Sequence, residues 1–270
     1  MQNYNKCHEN VWILSGTSDG PVLVKKLLDL NYIVFVSVVS YRASQAYEEN
    51  SKLHIFTGTL SSEEEIRSFI EKNRIEIIID ASHPFAEEIS KKLINASNKF
   101  SMTLIRYERN LFKKVDKRFQ VVSNLHGISG VDLQNKNLLL AIGSRYLDGT
   151  AKFYMDLGAN VFARILSTPE SISRAFASCI KNTNLAILNP TKIKEKNIEK
   201  SIEFDICQYW GIDYILCRDS GGYPQRLWEQ ISLSTKIKLF LYKRPKINES
   251  VLNCTNCDEL INSLKLKKFN

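Results

Sequence analysis

The sequence predicts an α/β protein of two domains with mainly parallel sheets. Three observations carry this prediction: short, near-continuous apolar runs, amphipathic stretches of helical spacing between them, and small polar turns where a run gives way to a helix. Strands buried on both faces read as unbroken apolar runs, and right-handed crossovers through helices join them in parallel. At 270 residues the chain is near the upper limit for one hydrophobic core, so two α/β halves are expected. The layout is Rossmann-like. Sheets of this kind take ligands outside the carboxyl ends of their strands, and a ligand cleft is expected between the halves.

Val11-Trp12-Ile13-Leu14 reads as the first strand, and residues 32–39, rich in β-branched and aromatic side chains, as the second. Leu53 to Phe56, Ile75 to Asp80 and Thr103 to Arg106 follow, with helical spacing over 22–30, 62–73 and 86–98. After a loose segment around 120–127, further strands are expected at 137–142, 160–166, 185–188, 214–217 and 238–242. Helices fit at 170–180, 196–209 and 224–232. A boundary near 125–135 divides an N-terminal domain (1–130) from a second domain (131–246). Residues 247–270 are a C-terminal tail that holds a terminal helix or stays mobile.

An apolar fraction of 44% and an aromatic fraction of 10% belong to a globular chain. No run approaches the roughly 20 apolar residues that span a bilayer. Residues 1–10 are polar and lack the apolar stretch of a signal peptide, so no membrane association and a cytoplasmic location are expected. Cys179, Cys207 and Cys217 lie in apolar stretches as small hydrophobes. Cys254 and Cys257 form a lone C-x-x-C without the second pair of ligands that a zinc site needs, so no metal is expected. A net charge of +8 suits an acidic partner, whether nucleic acid, phosphorylated cofactor or polycarboxylate. The basic residues are scattered. The densest run, Lys192 to Lys200, is interleaved with Glu195 and Glu199 and reads as a solvated helix face, so nucleic acid is not expected.

Chemistry concentrates at the strand ends. Ser15-Gly16-Thr17-Ser18-Asp19-Gly20-Pro21 follows the first strand and leads into a helix. Its small residues let backbone amides approach a phosphate, and Pro21 suits the first helical turn. A tight turn with an ordinary cap has the same composition, and the strict G-x-G-x-x-G pattern is absent. Ser40-Tyr41-Arg42 follows the second strand, where an arginine can hold a ribose 2′-phosphate. Asp80-Ala81-Ser82-His83-Pro84-Phe85-Ala86 follows the fourth. His83 there can position a ligand or donate a proton, or can simply hydrogen-bond within the fold. Gly143-Ser144-Arg145 and Arg218-Asp219-Ser220-Gly221-Gly222 repeat the strand-to-helix turn in the second half.

Together these segments resemble the precorrin-6A reductase family, including its cobalt-precorrin form. Ser15-Gly16-Thr17 stands where that family has Gly-Gly-Thr, and Ser18-Asp19-Gly20 where it has acidic-Ala-Arg. Asp80 to Ala86 matches Asp-Ala-Thr-His-Pro-Phe-Ala, with Ser82 for threonine. Arg106-Tyr107-Glu108-Arg109 matches Arg-x-Glu-Arg, and Ser220-Gly221-Gly222 with Arg244-Pro245 matches the closing motifs. The resemblance implies NAD(P)H-dependent reduction of one carbon–carbon double bond of a corrin precursor in cobalamin biosynthesis. The cofactor would be NADPH, with NADH an alternative. An anionic tetrapyrrole would be the substrate, and neighbouring enzymes of the pathway are possible partners. It further implies Gly16, Thr17 and Ser18 at the cofactor phosphates and Ser40 and Arg42 at the ribose end. Asp80, Ser82 and His83 would lie towards the nicotinamide, with His83 the candidate catalytic group. Arg106, Arg109, Arg145, Ser220, Gly221 and Gly222 would meet the substrate, the arginines pairing with its carboxylates.

Overall fold

The computed structural model describes residues 9–60, 62–109, 116–189, 195–246 and 251–267. The strands, numbered along the chain, are β1 (Asn10–Ser15), β2 (Ile33–Val38), β3 (Leu53–Thr57), β4 (Ile77–Ala81), β5 (Thr103–Tyr107), β6 (Phe119–Val122), β7 (Asn137–Ala141), β8 (Asn160–Ile165), β9 (Leu185–Ile187), β10 (Tyr214–Arg218), β11 (Lys238–Tyr242) and β12 (Leu252–Cys254). The α-helices are α1 (Gly20–Asp29), α2 (Tyr41–Ser44), α3 (Glu63–Lys72), α4 (Glu87–Lys99), α5 (Leu147–Asp156), α6 (Pro169–Phe176), α7 (Ile202–Tyr209), α8 (Tyr223–Ser234) and α9 (Cys257–Lys267). No helix among the described residues is long and apolar enough to cross a membrane.

The chain forms two compact units, Met1–Asn110 with Pro245–Asn270, and Leu111–Arg244. Each holds one six-stranded sheet, β3-β2-β1-β4-β5-β12 in the first and β9-β8-β7-β10-β11-β6 in the second. Every strand pair is parallel. Both orders are doubly wound: the chain reverses direction across the sheet between β1 and β4, and again between β7 and β10.

The period of two along each strand sorts side chains to the two faces. In the first unit Val11, Ile13, Val34, Val36, Ile77 and Ile79 pack with Leu23, Val24 and Leu27 of α1 and Leu260 and Leu264 of α9. Trp12, Leu14, Phe35 and Ile78 pack on the opposite face with Ile66 and Ile70 of α3 and Leu93 of α4. In the second unit Leu138, Leu140, Val161 and Leu216 face α5 and α6, while Leu139, Ile215, Cys217 and Leu239 face α7 and α8.

The structure divides the chain away from the expected boundary near residue 130, after Asn110 and again before Pro245. The expected C-terminal tail is an integral part of the first sheet: β12 pairs with β5, with Leu252 opposite Ile105 and Cys254 opposite Tyr107. Residues 119–122, read as loose, form edge strand β6 beside β11. Helix α5 lies where the sequence suggested none. Its buried residues Leu147, Thr150, Ala151 and Tyr154 have helical spacing, but Thr150 and the preceding Gly149 break the apolar signal. The helix expected over 196–209 is a 3-10 turn (Glu195–Lys200) followed by α7, separated at Ser201, whose hydroxyl caps α7.

Candidate functional site

The reversal of strand order in the first unit brings the turn after β1 against the end of β4. The Gly16 amide donates to Ala81 O at 3.3 Å. A Cβ on Gly16 would lie 3.0 Å from the His83 nitrogen and 3.2 Å from the Ser82 Cα, so a larger residue would have to push the β4 turn back by a few tenths of an ångström. The turn closes through Gly20 N to Thr17 O at 3.3 Å and Asp19 N to Thr17 Oγ1 at 3.3 Å. Ser15 is accommodated because Gly20 has no side chain, a Cβ there colliding with Ser15 Oγ and Tyr47 OH. Gly16 and Ser18 are exposed.

Beneath the β4 end lies a buried ionic network. Arg106 Nη1 contacts Asp80 Oδ2 at 2.7 Å, Ser82 Oγ at 2.9 Å and Ser90 Oγ at 3.2 Å, and Nη2 reaches Glu108 Oε1 at 3.5 Å. Asp80 also accepts from Ser90 Oγ at 2.6 Å and from the Ser82 amide at 3.0 Å. Asp80, Ser82, Arg106 and Glu108 are all buried. Arg106, expected at the substrate, meets two internal carboxylates, with which a substrate carboxylate would have to compete. Asp80, expected towards the cofactor, shapes the Ser82 loop from below. Beside the network is a cavity of about 260 Å³ lined in part by Asp80, Ser90, Lys91, Arg106 and Glu108.

His83 is half-buried, and its Nδ1 accepts from the Phe85 amide at 3.2 Å. The ring proton therefore sits on Nε2, and protonating Nδ1 would cost that bond. Ser40 caps α2 through a bond from Ala43 N at 3.3 Å, and Arg42 is exposed within α2, after β2.

Arg109 was expected among the substrate ligands. It pairs through Nε with Asp19 Oδ2 and donates from Nη2 to Ser18 Oγ at 3.2 Å, which puts it on the turn after β1. Tyr107 lies close by. Burial, followed by the neighbouring Cys257 thiol and the Asp19 carboxylate, pushes its phenol well above the usual range.

The second unit repeats this arrangement between β7 and β10. Gly143 has a φ of +82°, and a Cβ there would lie 2.8 Å from Arg218 Nη2. Burial, and to a lesser extent Arg145, lowers the Arg218 pKa, while Tyr146 and Tyr242 raise it. Arg145 is exposed, whereas Ser220, Gly221 and Gly222 are buried. The Gly221 amide donates to Gln225 Oε1 at 2.6 Å, and that amide group bridges Asp219 and Glu229, so this donor is used internally. Arg218, the last residue of β10, is named in the sequence only as the start of this turn and not as a candidate ligand.

Helix capping separates these turns from the rest of the fold. Ser40, Ser62, Thr168 and Ser201 cap α2, α3, α6 and α7 with their side chains, and Asn256 Oδ1 accepts from Glu259 N in α9. The helices that follow the four strands flanking the two reversals, α1, α4, α5 and α8, have no side-chain cap. Uncapped first turns present amides and a positive dipole end to an incoming anion.

Residues 10–265 match the family model described as Precorrin-6x reductase CbiJ/CobK. The chain is 26% identical over 240 residues to a cobalt-precorrin-6A reductase of Synechocystis sp., covering 87% of this chain and 88% of that one. It is 27% identical over 259 residues to a cobalt-precorrin-6A reductase of Methanocaldococcus jannaschii, covering 93% and 96%. Its fold matches a solved CobK precorrin-6A reductase with a TM-score of 0.73 at 16% identity, over 95% of this chain and 96% of that one.

Proposed function

The chain belongs to the precorrin-6x reductase family, and from this premise we propose that it reduces one carbon–carbon double bond of precorrin-6A or cobalt-precorrin-6A with NADPH. When bound, the nicotinamide supplies a hydride to one carbon of the double bond, and a proton completes the reduction at the other. The observation that carries this reading is the close approach of the β1 turn at Gly16 to the β4 end, at a strand-order reversal and beside the uncapped α1.

Gly16, Thr17 and Ser18 then receive the cofactor phosphates, with Ser40 and the exposed Arg42 at the ribose end. Ser82 and His83 face the nicotinamide, Ser82 fixed by Arg106 and Asp80. His83 donates a hydrogen bond from Nε2 and orients the ligand. In the second unit Arg145 and Arg218 meet substrate carboxylates beside the turn at Ser220–Gly222, an assignment supported by the anionic character of a tetrapyrrole with acetate and propionate arms.

The test is anaerobic incubation with precorrin-6A, with and without cobalt, and with NADPH or NADH, following nicotinamide absorbance and the tetrapyrrole chromophore together. Stoichiometric loss of both signals is expected with NADPH. Gly16→Asp is expected to abolish it, by driving a charged side chain into the Ser82–His83 backbone. A folded wild-type protein that turns over none of the four combinations would sink the proposal.

A further inference from the structure

We propose that Arg109 grips the pyrophosphate of the nicotinamide cofactor and that Asp19 is the positioning residue that holds it there, a reading that rests on the cofactor assignment above. The turn after β1 offers small residues, two hydroxyls and an uncapped helix, but no cation of its own between Ser15 and Leu23. Arg109 supplies that charge from elsewhere, arriving two residues after the end of β5. Asp19 stands at the start of α1, and its carboxylate takes the Arg109 Nε instead of capping the helix. The other side of the guanidinium reaches Ser18 Oγ at 3.2 Å. The group is thus held in the plane of the phosphate turn by two of its neighbours, with about four-fifths of the side chain out of solvent.

A guanidinium is a rigid fork with five donors, suited to a diphosphate, and anchoring it beforehand cuts the ordering cost of binding. Its pairing with Asp19 keeps the guanidinium on the turn it serves. The Tyr107 phenol beside it stays neutral at ordinary pH, so no second negative charge competes with the phosphates there.

The experiment compares wild type, R109Q and R109K for binding of NADPH and of ADP-ribose, which carries the pyrophosphate without a nicotinamide, by calorimetry. Melting curves verify that each variant is folded. R109Q is expected to weaken both ligands by about tenfold or more, the scale of a lost charge-assisted bond. R109K, which keeps the charge and loses the fork, should fall between. The KM for the tetrapyrrole at saturating NADPH should stay within about twofold of wild type. Unchanged affinity for both ligands in folded R109Q overturns the proposal, and an unchanged affinity with a raised tetrapyrrole KM returns Arg109 to the substrate. Failure of the wild type to bind either ligand overturns the cofactor assignment itself, and is distinguished because it needs no variant.

Discussion

Asp219, in the turn after β10, is a carboxyl whose burial raises its pKa above the ordinary aspartate range, against the opposing pull of the Gln225 amide and of Arg244. The native state therefore binds a proton more readily than the unfolded chain. Between the ordinary aspartate value and the raised one, folding takes up a proton, so stability falls as pH rises through that window. Asp219→Asn keeps an acceptor for Gln225 and removes the buried charge. The variant is expected to melt at or above the wild-type temperature at neutral pH, with the gap closing as pH falls towards the aspartate range. A lower melting temperature at neutral pH would mean that attraction to Arg244 outweighs the loss of hydration. The thiols are governed by the same physics: burial pushes Cys207 up to about 12 and raises Cys217 well above its ordinary value, so both remain protonated and unreactive.

At the scale of elements, the Arg106 network ties β4, β5 and the first turns of α4 into one rigid support for the Ser82–His83 loop. A buried ion pair adds little net stability over an apolar equivalent, but removing one partner strands the others without water. Arg106→Leu leaves Asp80 and Glu108 buried without their cation and should cost about 3–5 kcal/mol, read as a lower urea midpoint. A loss under about 1 kcal/mol would mean that the carboxylates reach water through the adjoining cavity. Capping divides the helices by task. A capping box closes α3, with Ser62 Oγ accepting from Glu65 N and Glu65 Oε2 accepting from Ser62 N, both at 3.1 Å, while the four helices at the strand-order reversals keep their first turns open. Of the helices at the proposed ligand sites, the four at the strand-order reversals give up their caps, while α2 at the ribose end keeps Ser40 as its cap.

At the scale of the whole molecule, the second sheet takes all six strands, β6 to β11, from one continuous stretch, whereas the first takes β1 to β5 from one stretch and borrows β12 from beyond the second unit. The chain thus leaves the first unit and returns to finish it. Leu260 and Leu264 of α9 and Cys254 of β12 are each 1% exposed in the core shared with α1. Fully burying a leucine is worth about 1.5–3 kcal/mol, so ending the chain at residue 250 removes several kcal/mol and uncovers the edge of β5. The truncated protein is expected to melt well below the full chain and to aggregate. An unchanged melting temperature would make the segment an appendage.

The sequence by itself determined the local features: the strands with unbroken apolar runs, the helices with an uninterrupted stripe, and the turn chemistry at Gly16, Ser82 and Gly143. These depend on neighbours within a few positions, where the periods of two and 3.6 and the demands of a turn are written directly. Tertiary structure alone decided what depends on distant partners. Strand β6 is legible only beside β11, and β12 only beside β5, because an edge strand needs little apolar pattern of its own. Arg106 and Arg109 look alike in sequence, three residues apart in one motif. The fold turns the first inward onto Asp80, 26 positions earlier, and the second onto Asp19, 90 positions earlier. Which carboxylate an arginine meets is set by the parallel register of β1, β4 and β5, a long-range property that the order of residues along one segment does not carry.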